Sequence, residues 1–228
     1  MTDATQNTNG ETRSQWRDVW DQFTKHKGAL IGGILFFSIV FAVMIGPLLW
    51  PFEANEINIR LRNQTPSWTH PFGTDQLGRD SFARMIAGGQ TSITVGLAAM
   101  MLSLMLGSMI GVLSGYYRRL DGLLMRFTDL FLSLPLLPLL LVMMLLFREP
   151  LSEAYGPERG MFVLIVVSIG ITSWMPTARI VRGDVLALKE REFILAAQSI
   201  GTSDARIILR HILPNVLSPI LVSATLGI

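Results

Sequence analysis

The feature that most constrains this chain is a set of long stretches with no charged side chain. Residues 28–50 are 23 uncharged residues in a row, and a helix needs only roughly 20 to cross the hydrocarbon layer of a bilayer. A second uncharged stretch lies between Arg84 and Arg118 and is most apolar from Ile93 to Val112. A third lies between Asp129 and Arg148, interrupted by Pro135 and Pro138, and a fourth between Arg159 and Arg179. The third helix is expected to start earlier, near Leu123, because Leu123, Leu124 and Phe127 continue its apolar face. A fifth begins near Asn215 and is cut off at Ile228. In lipid the backbone must satisfy its own hydrogen bonds, which favours helices. The expectation is an all-α integral membrane protein, a helical bundle of four full spans and part of a fifth. Only 16% of the residues are charged, against about 25% in a soluble domain. The first stretch is too long for a signal-peptide core and no small-residue cleavage site stands out, so it reads as a retained span.

The cations give an orientation. Residues 1–27, 118–129 and 179–211 carry four, three and six Lys or Arg, whereas 51–90 and 148–159 carry four and two. The richer segments alternate with the poorer ones. Positive charge is retained on the cytoplasmic side, which puts the N-terminus and the 118–129 and 179–211 loops inside.

Much chemistry is excluded. The chain has no cysteine, and its three histidines, His26, His70 and His211, lack metal-type spacing. No phosphate-binding GxxxxGK[ST] loop, G-x-S-x-G elbow or HExxH helix occurs. No catalytic set, metal site or cofactor site emerges. No charged residue falls inside the apolar stretches, which argues against an ion-coupled carrier, although unwound helices can bind ions through carbonyls.

Within the second span Ser103, Gly107, Gly111 and Gly115 recur every four residues and share one face. Such a face lets another helix approach closely, either within this chain or from a second membrane subunit. Ser168 and Thr172 lie one turn apart on the fourth span, and Pro176 can loosen the helix there. They are candidates for lining a path, with helix packing as the alternative.

The loop 179–214 is the densest in information. Val185 to Ile200 lacks Gly and Pro and suits one helix; Phe193, Ala197 and Ile200 share a face, with Ala196 beside it. Gly201 breaks the helix, as a position needing positive φ. Thr202 or Ser203 can cap a second helix, and Asp204 in its first turn suits the helix dipole. Ala205, Ile208 and Ile212 form its expected apolar stripe, Arg206 and Arg210 pair on another face, and Pro214 ends it. A bent helix pair held under the membrane could dock a partner, lie on the lipid as an interfacial helix, or have no partner at all.

This stretch resembles the EAA loop of ABC importer permeases: Glu-Ala-Ala, three residues, Gly, nine residues, Ile-x-Leu-Pro. Ala196, Ala197, Gly201, Leu213 and Pro214 match in register, while Leu195 and His211 replace the Glu and Ile. "HPFGTDQLGRDSFARMIAGGQTSITVGLAA" from His70 to Ala99, "ARIVRGDVLALKEREF" and "RHILPNVLSP" are similar to the dipeptide, oligopeptide and nickel permeases of that class, nearest to the C-type subunit. The likeness runs over residues 13–228. It implies a cytoplasmic segment 1–27, a first span 28–50, a periplasmic loop 51–90 with a short helix, and a permease core 91–228 containing the coupling loop. The implied role is transport of peptides or related small solutes. The implied partners are a B-type permease subunit, two ATP-binding subunits that hold ATP and Mg, a periplasmic or lipid-anchored substrate-binding protein, and membrane lipid, with no nucleic acid. Ala196, Ala197, Gly201, Ser203, Asp204 and Arg206 are the expected ATPase contacts. In Gly73–Asp80 the glycines make turns and Asp75 or Asp80 caps the following helix, or the segment forms an outer platform. A channel or carrier without ATPases and a membrane-anchored scaffold remain the rival classes.

Overall fold

A computed structural model of the chain describes residues 23–217 and Ile220. Most of the N-terminal segment and most of the fifth span lie outside the described residues. The chain divides into two compact units, Met1–Gln90 and Thr91–Ile228.

In the first unit α1 spans Lys27–Leu49 and none of its residues is buried. Pro47 has no N–H to give to the carbonyl of Val43, four residues earlier. The Gln90 side-chain amide donates to that carbonyl instead, at 3.1 Å. Small residues allow the approach: a Cβ on Gly89 would lie 2.7 Å from Val43 Cγ2, and one on Gly46 2.9 Å from Ile86 Cδ1. Residues 51–80 form a loop with a 3-10 turn at Ile59–Leu61. The loop closes on itself through Thr74, whose hydroxyl donates to the Leu61 carbonyl and accepts from the Gln64 N–H at 2.9 Å. Gly78 has φ +75°, and a Cβ there would fall 1.7 Å from the Asn58 carbonyl oxygen, so only glycine fits.

The two aspartates of this loop have different roles. Asp80 is 4% exposed. It accepts the Ala83 N–H at 3.2 Å, the Trp50 indole N–H at 2.5 Å and a longer contact from His70 Nδ1 at 3.4 Å. Phe52 and Phe82 close around this centre, 4.6 Å from the His70 ring and 4.8 Å from the Trp50 ring. Asp75 accepts the N–H groups of Leu77 and Arg79 at 2.8 and 3.0 Å and pairs with the Arg79 and Arg84 side chains. The expected short helix in 51–90 is the start of α2, Ser81–Tyr116, which continues unbroken.

The second unit contains the rest of α2, then α3 (Arg118–Ser133), α4 (Leu136–Tyr155), α5 (Pro157–Lys189), α6 (Glu192–Ser199) and α7 (Asp204–Ile207). No strand occurs among the described residues. α1, α2 and α5 are each long and apolar enough to cross a membrane. The third expected span is not one straight helix. α3 and α4 pass the same test only together, and their axes bend by 88° at the break. Pro135 is the cause: the residue before a proline is driven out of the α region, and Leu134 has ψ 135°. Pro138 sits harmlessly in the first turn of α4, where its missing N–H would have no partner.

α2 and α5 approach through the small residues of α2. A Cβ on Gly107 would lie 2.7 Å from the Trp174 carbonyl oxygen; on Gly111, 2.7 Å from the Ala178 carbonyl oxygen; on Gly115, 2.7 Å from Val185 Cβ. Ser103, on the same face, is buried. The face is therefore filled within this chain. Arg182 clamps α3 from α5 with two bonds to Asp121, at 2.5 and 2.8 Å, and Arg179 reaches Asp129 at 2.5 Å.

Two features of the charged loop differ from expectation. The helix expected over 185–200 is two helices. α5 stops at Lys189, Arg191 is extended, and α6 starts at Glu192. No Gly or Pro marks this break. It turns α6 so that Ile194 and Ala197 enter the core, and burial overrides local propensity. The expected stripe Ala205–Ile208–Ile212 is also displaced. Ala205 is exposed, and the buried residues are Ile207, Ile212, Val216 and Ile220. A wider π-type turn at Ile208–Ile212 stretches the first interval to five residues and keeps all four on one side. Pro214 does not end the helix, which runs on through Leu217. The π-type turn lies just before the proline, where an α-helical N–H is missing.

Three outcomes are expected. Gly111→Val should lower stability by about 1–3 kcal/mol through overpacking against α5, read as thermal unfolding in detergent. Gly122→Ala, on α3 with nothing within 4 Å of the added Cβ, should raise it by up to about 1 kcal/mol. For Asp75, partial desolvation raises the carboxyl, but the Arg79 and Leu77 N–H groups and the Arg79 guanidinium outweigh it and hold the pKa at about 2, below the ordinary 3.8. Its folded pKa is depressed, so its contribution is present above pH 3.8 and lost as pH falls towards 2. The thermal midpoint of Asp75→Asn should therefore drop less between pH 5 and pH 2.5 than that of the parent, compared at about matched ionic strength.

Candidate functional site at the Gly201 helix pair

α6 and α7 meet at Gly201, which has φ +78°. No atom lies within 4 Å of a Cβ placed there. The need for glycine is conformational: an L side chain in this region costs about 1–2 kcal/mol. The Gly201 N–H bonds to the Gln198 carbonyl at 2.9 Å and the Thr202 N–H to the Ala197 carbonyl at 3.1 Å, which closes α6. Ser203 precedes α7 with extended backbone and makes no side-chain cap bond. Its carbonyl instead accepts the Arg206 and Ile207 N–H groups at 2.9 and 3.0 Å.

The pair has an inner and an outer side. Ile194, Ile207 and Ile212 are fully enclosed and Ala197 nearly so. They share one cluster with Val112 and Tyr116 of α2 and Val181 and Val185 of α5. Ala196, Gly201, Ser203, Asp204, Ala205 and Arg206 are exposed, and Ile200 is 82% exposed. Among the residues singled out in the sequence, Ala197 is therefore a core contact, while the other five of that group lie on the outer side. Leu195, in the position of the motif Glu, is exposed, and His211 lies 6.4 Å from the Phe193 ring.

A polar strap fixes the pair to the long helices. The Tyr116 hydroxyl donates to Asp204 Oδ1 at 2.7 Å, from the last residue of α2 to the first of α7. The Lys189 ammonium donates to the Tyr116 carbonyl at 3.0 Å. Sequence reasoning missed Tyr116 and Lys189. Tyr116 lies 88 residues from Asp204, and no local pattern joins them. The one available signal was position, since Tyr116 follows directly on the last glycine of the small-residue stripe.

Ser168 and Thr172 remain apart from this site. Ser168 is 1% exposed, and its Oγ has no hydrogen-bond partner among the described residues. The Thr172 hydroxyl donates to the Ser168 carbonyl at 2.8 Å. α5 continues through Pro176 without a break. Among the described residues no group of three His, Cys, Asp or Glu could hold a metal ion.

Known proteins match along almost the whole chain. Residues 103–228 match the model of the binding-protein-dependent transport system inner membrane component. Residues 14–66 match the N-terminal transmembrane domain of oligopeptide transport permease C. The oligopeptide transport system permease protein OppC of Bacillus subtilis (strain 168) is 36% identical over 216 residues, which are 94% of this chain and 67% of the relative. The dipeptide transport system permease protein DppC of Alkalihalophilus pseudofirmus is 37% identical over 215 residues, again 94% and 67%. A putative peptide transport system permease protein of Brucella abortus is 38% identical over 202 residues, 88% of this chain and 64% of the relative. The chain thus spans about two thirds of the length of these curated relatives. A family match over more than half its residues, relatives at this identity and its long apolar helices agree: the chain belongs to the binding-protein-dependent transport system inner membrane components, as a multi-pass membrane protein.

Proposed function

We propose that the chain is a permease subunit of an ATP-driven importer, taking peptides or related small solutes from a substrate-binding protein. A second permease subunit completes the path, and two ATP-binding subunits drive it. The observation that carries this reading is the two-sided helix pair. Its outer side presents a charged and apolar tip around Gly201, and its inner side is buried in the same core as α2 and α5. A push on the tip therefore reaches two long apolar helices through buried side chains. The relatives' names supply the substrate class. The Lys and Arg distribution supports a cytoplasmic tip and N-terminus.

On this reading Gly201, Ser203, Asp204 and Arg206, with Ala196, contact the ATPase, and Ala197 anchors the contact from below. Ser168 and Thr172 are assigned to the path. What supports this is polar capacity left unused: Ser168 has a buried hydroxyl with no partner among the described residues, and Pro176 leaves the Thr172 carbonyl without its helical donor. Residues 1–27, 28–50, 51–90 and 91–228 are assigned as cytoplasmic segment, first span, outer loop and transport core.

Ala205→Cys, in a chain that has no cysteine, should cross-link to a co-expressed ATPase subunit through a short thiol reagent, with a yield that ATP changes. Leu145→Cys, 81% exposed on α4, should not. Cross-linking of neither position to any ATPase would leave an ATPase-independent carrier as the better reading. Gly201→Glu should abolish ATP-dependent uptake at normal membrane abundance; unchanged uptake would remove the turn from the coupling route. Tyr116→Phe should speed hydrogen exchange of residues 192–207 about tenfold, equivalent to loss of roughly 1.5 kcal/mol from one hydrogen bond to a carboxylate.

A further inference from the structure

Directly beside the strap lies an open recess of about 630 Å³, lined by Tyr117, Arg118, Arg119, Leu120, Lys189 and Asp204 among others. Its charges are unbalanced. Arg179 and Arg182 of α5 each have an aspartate on α3. Arg118 and Arg119 have no carboxylate partner among the described residues and are exposed. Lys189 spends one proton on the Tyr116 carbonyl. The single lining carboxylate, Asp204, is already occupied by the Tyr116 hydroxyl. Three cations thus face a space with one satisfied anion.

The recess opens at the start of an amphipathic helix. On α3, Asp121 and Asp129 are held to α5 by arginines. Leu120, Leu123, Phe127 and Leu130 follow at intervals of three, four and three residues, which lines them up on another side. They are 38%, 68%, 49% and 57% exposed. Leu120 belongs both to this stripe and to the recess lining. Phe127 keeps contact with Phe131 and Trp174, at 4.7 and 6.4 Å between ring centroids, and the rest of the stripe stays open; cations at the head of a partly exposed apolar stripe match a molecule with an anionic head and an apolar tail.

We propose that this recess binds the phosphate of an anionic phospholipid through Arg118, Arg119 and Lys189, with its acyl chains along Leu120, Leu123, Phe127 and Leu130. A guanidinium pair suits a phosphate oxygen set, and interfacial cations draw anionic lipid. A soluble phosphate would use the cations and leave the stripe bare. The site needs only that the chain lies in a membrane, and it stands whether or not an ATPase docks at Gly201.

The test is lipid retention by the full chain, purified in mild detergent and titrated with phosphatidylglycerol or phosphatidylcholine, read by native mass spectrometry. Phosphatidylglycerol should be held about a hundredfold more tightly than phosphatidylcholine, since each of the three basic residues contributes roughly fivefold. Arg118→Gln with Arg119→Gln should remove that preference at unchanged helicity, and the Lys pair at the same positions should keep most of it. Leu123→Ser with Phe127→Ser should weaken both lipids. Arg148→Gln with Arg159→Gln, at exposed cations elsewhere that have no carboxylate partner among the described residues, should change neither. Equal retention of the two lipids, or equal loss in the Arg148/Arg159 variant, overturns the proposal. So does displacement of phosphatidylglycerol by millimolar inorganic phosphate with no effect of the Leu123/Phe127 change, which would mark a soluble-anion site. Burial of a thiol at Leu123→Cys against a second permease subunit, with no lipid bound, would give the stripe to a protein partner.

Discussion

The second unit depends on one contact, the backbone-close approach of α2 to α5. Lipid offers no hydrophobic gain for bringing two apolar helices together, since acyl chains are as apolar as leucine. What remains is dispersion between closely fitted surfaces. Gly107, Gly111 and Gly115 supply the fit, each leaving room that a single Cβ would fill with a collision against α5 backbone or side chains. The fitted line runs from Gly107 to Gly115 on α2 against Trp174 to Val185 on α5, so their relative rotation is fixed at several points rather than one. Everything attached to their ends inherits that fixed geometry.

The charged helix pair is attached there. Val181 and Val185 take part in both contacts: they meet Gly111 and Gly115 on one side and belong to the cluster holding Ile194, Ile207 and Ile212 on the other. The loop core is therefore a continuation of the span core, not a separate domain. The Tyr116–Asp204 bond adds direction to this apolar seat. Burial alone tolerates sliding along the helix axis, whereas a hydrogen bond at 2.7 Å holds one register.

What could be read from the sequence divides along physical lines. The uncharged stretches, the small-residue face and the Gly201 turn are local or strictly periodic, and each has a single cheap physical cause. The breaks were legible only where chemistry marks them. Pro135 announced an interruption but not its 88° angle, which depends on what α3 packs against. The Glu190–Arg191 break has no marker, because ordinary helix formers leave the helix there to bury Ile194 and Ala197. The π-type turn was invisible for a related reason. A stripe search assumes intervals of three and four, and one inserted residue moved the buried set from Ala205 and Ile208 to Ile207. The strap, a pair of distant residues of ordinary type, left one trace only, the place of Tyr116 directly after the last glycine of the stripe.

These irregularities fall in a meaningful place. Between Lys189 and Leu213 the chain breaks helix at Arg191, reverses at Gly201 and widens at Ile208–Ile212, while the inward side chains stay enclosed throughout. A backbone with three departures from α geometry would be soft if its side chains were loose. Here each departure serves to keep a buried residue facing the core, so stiffness comes from side-chain packing rather than from continuous helix. For a loop read as the contact with a motor, that distinction matters. A stiff straight helix would transmit force along one axis only. On the proposed reading, a bent element seated on two long helices at once would carry a push at Gly201 to both, through the residues that hold the seat: Val181, Val185, Tyr116 and Asp204.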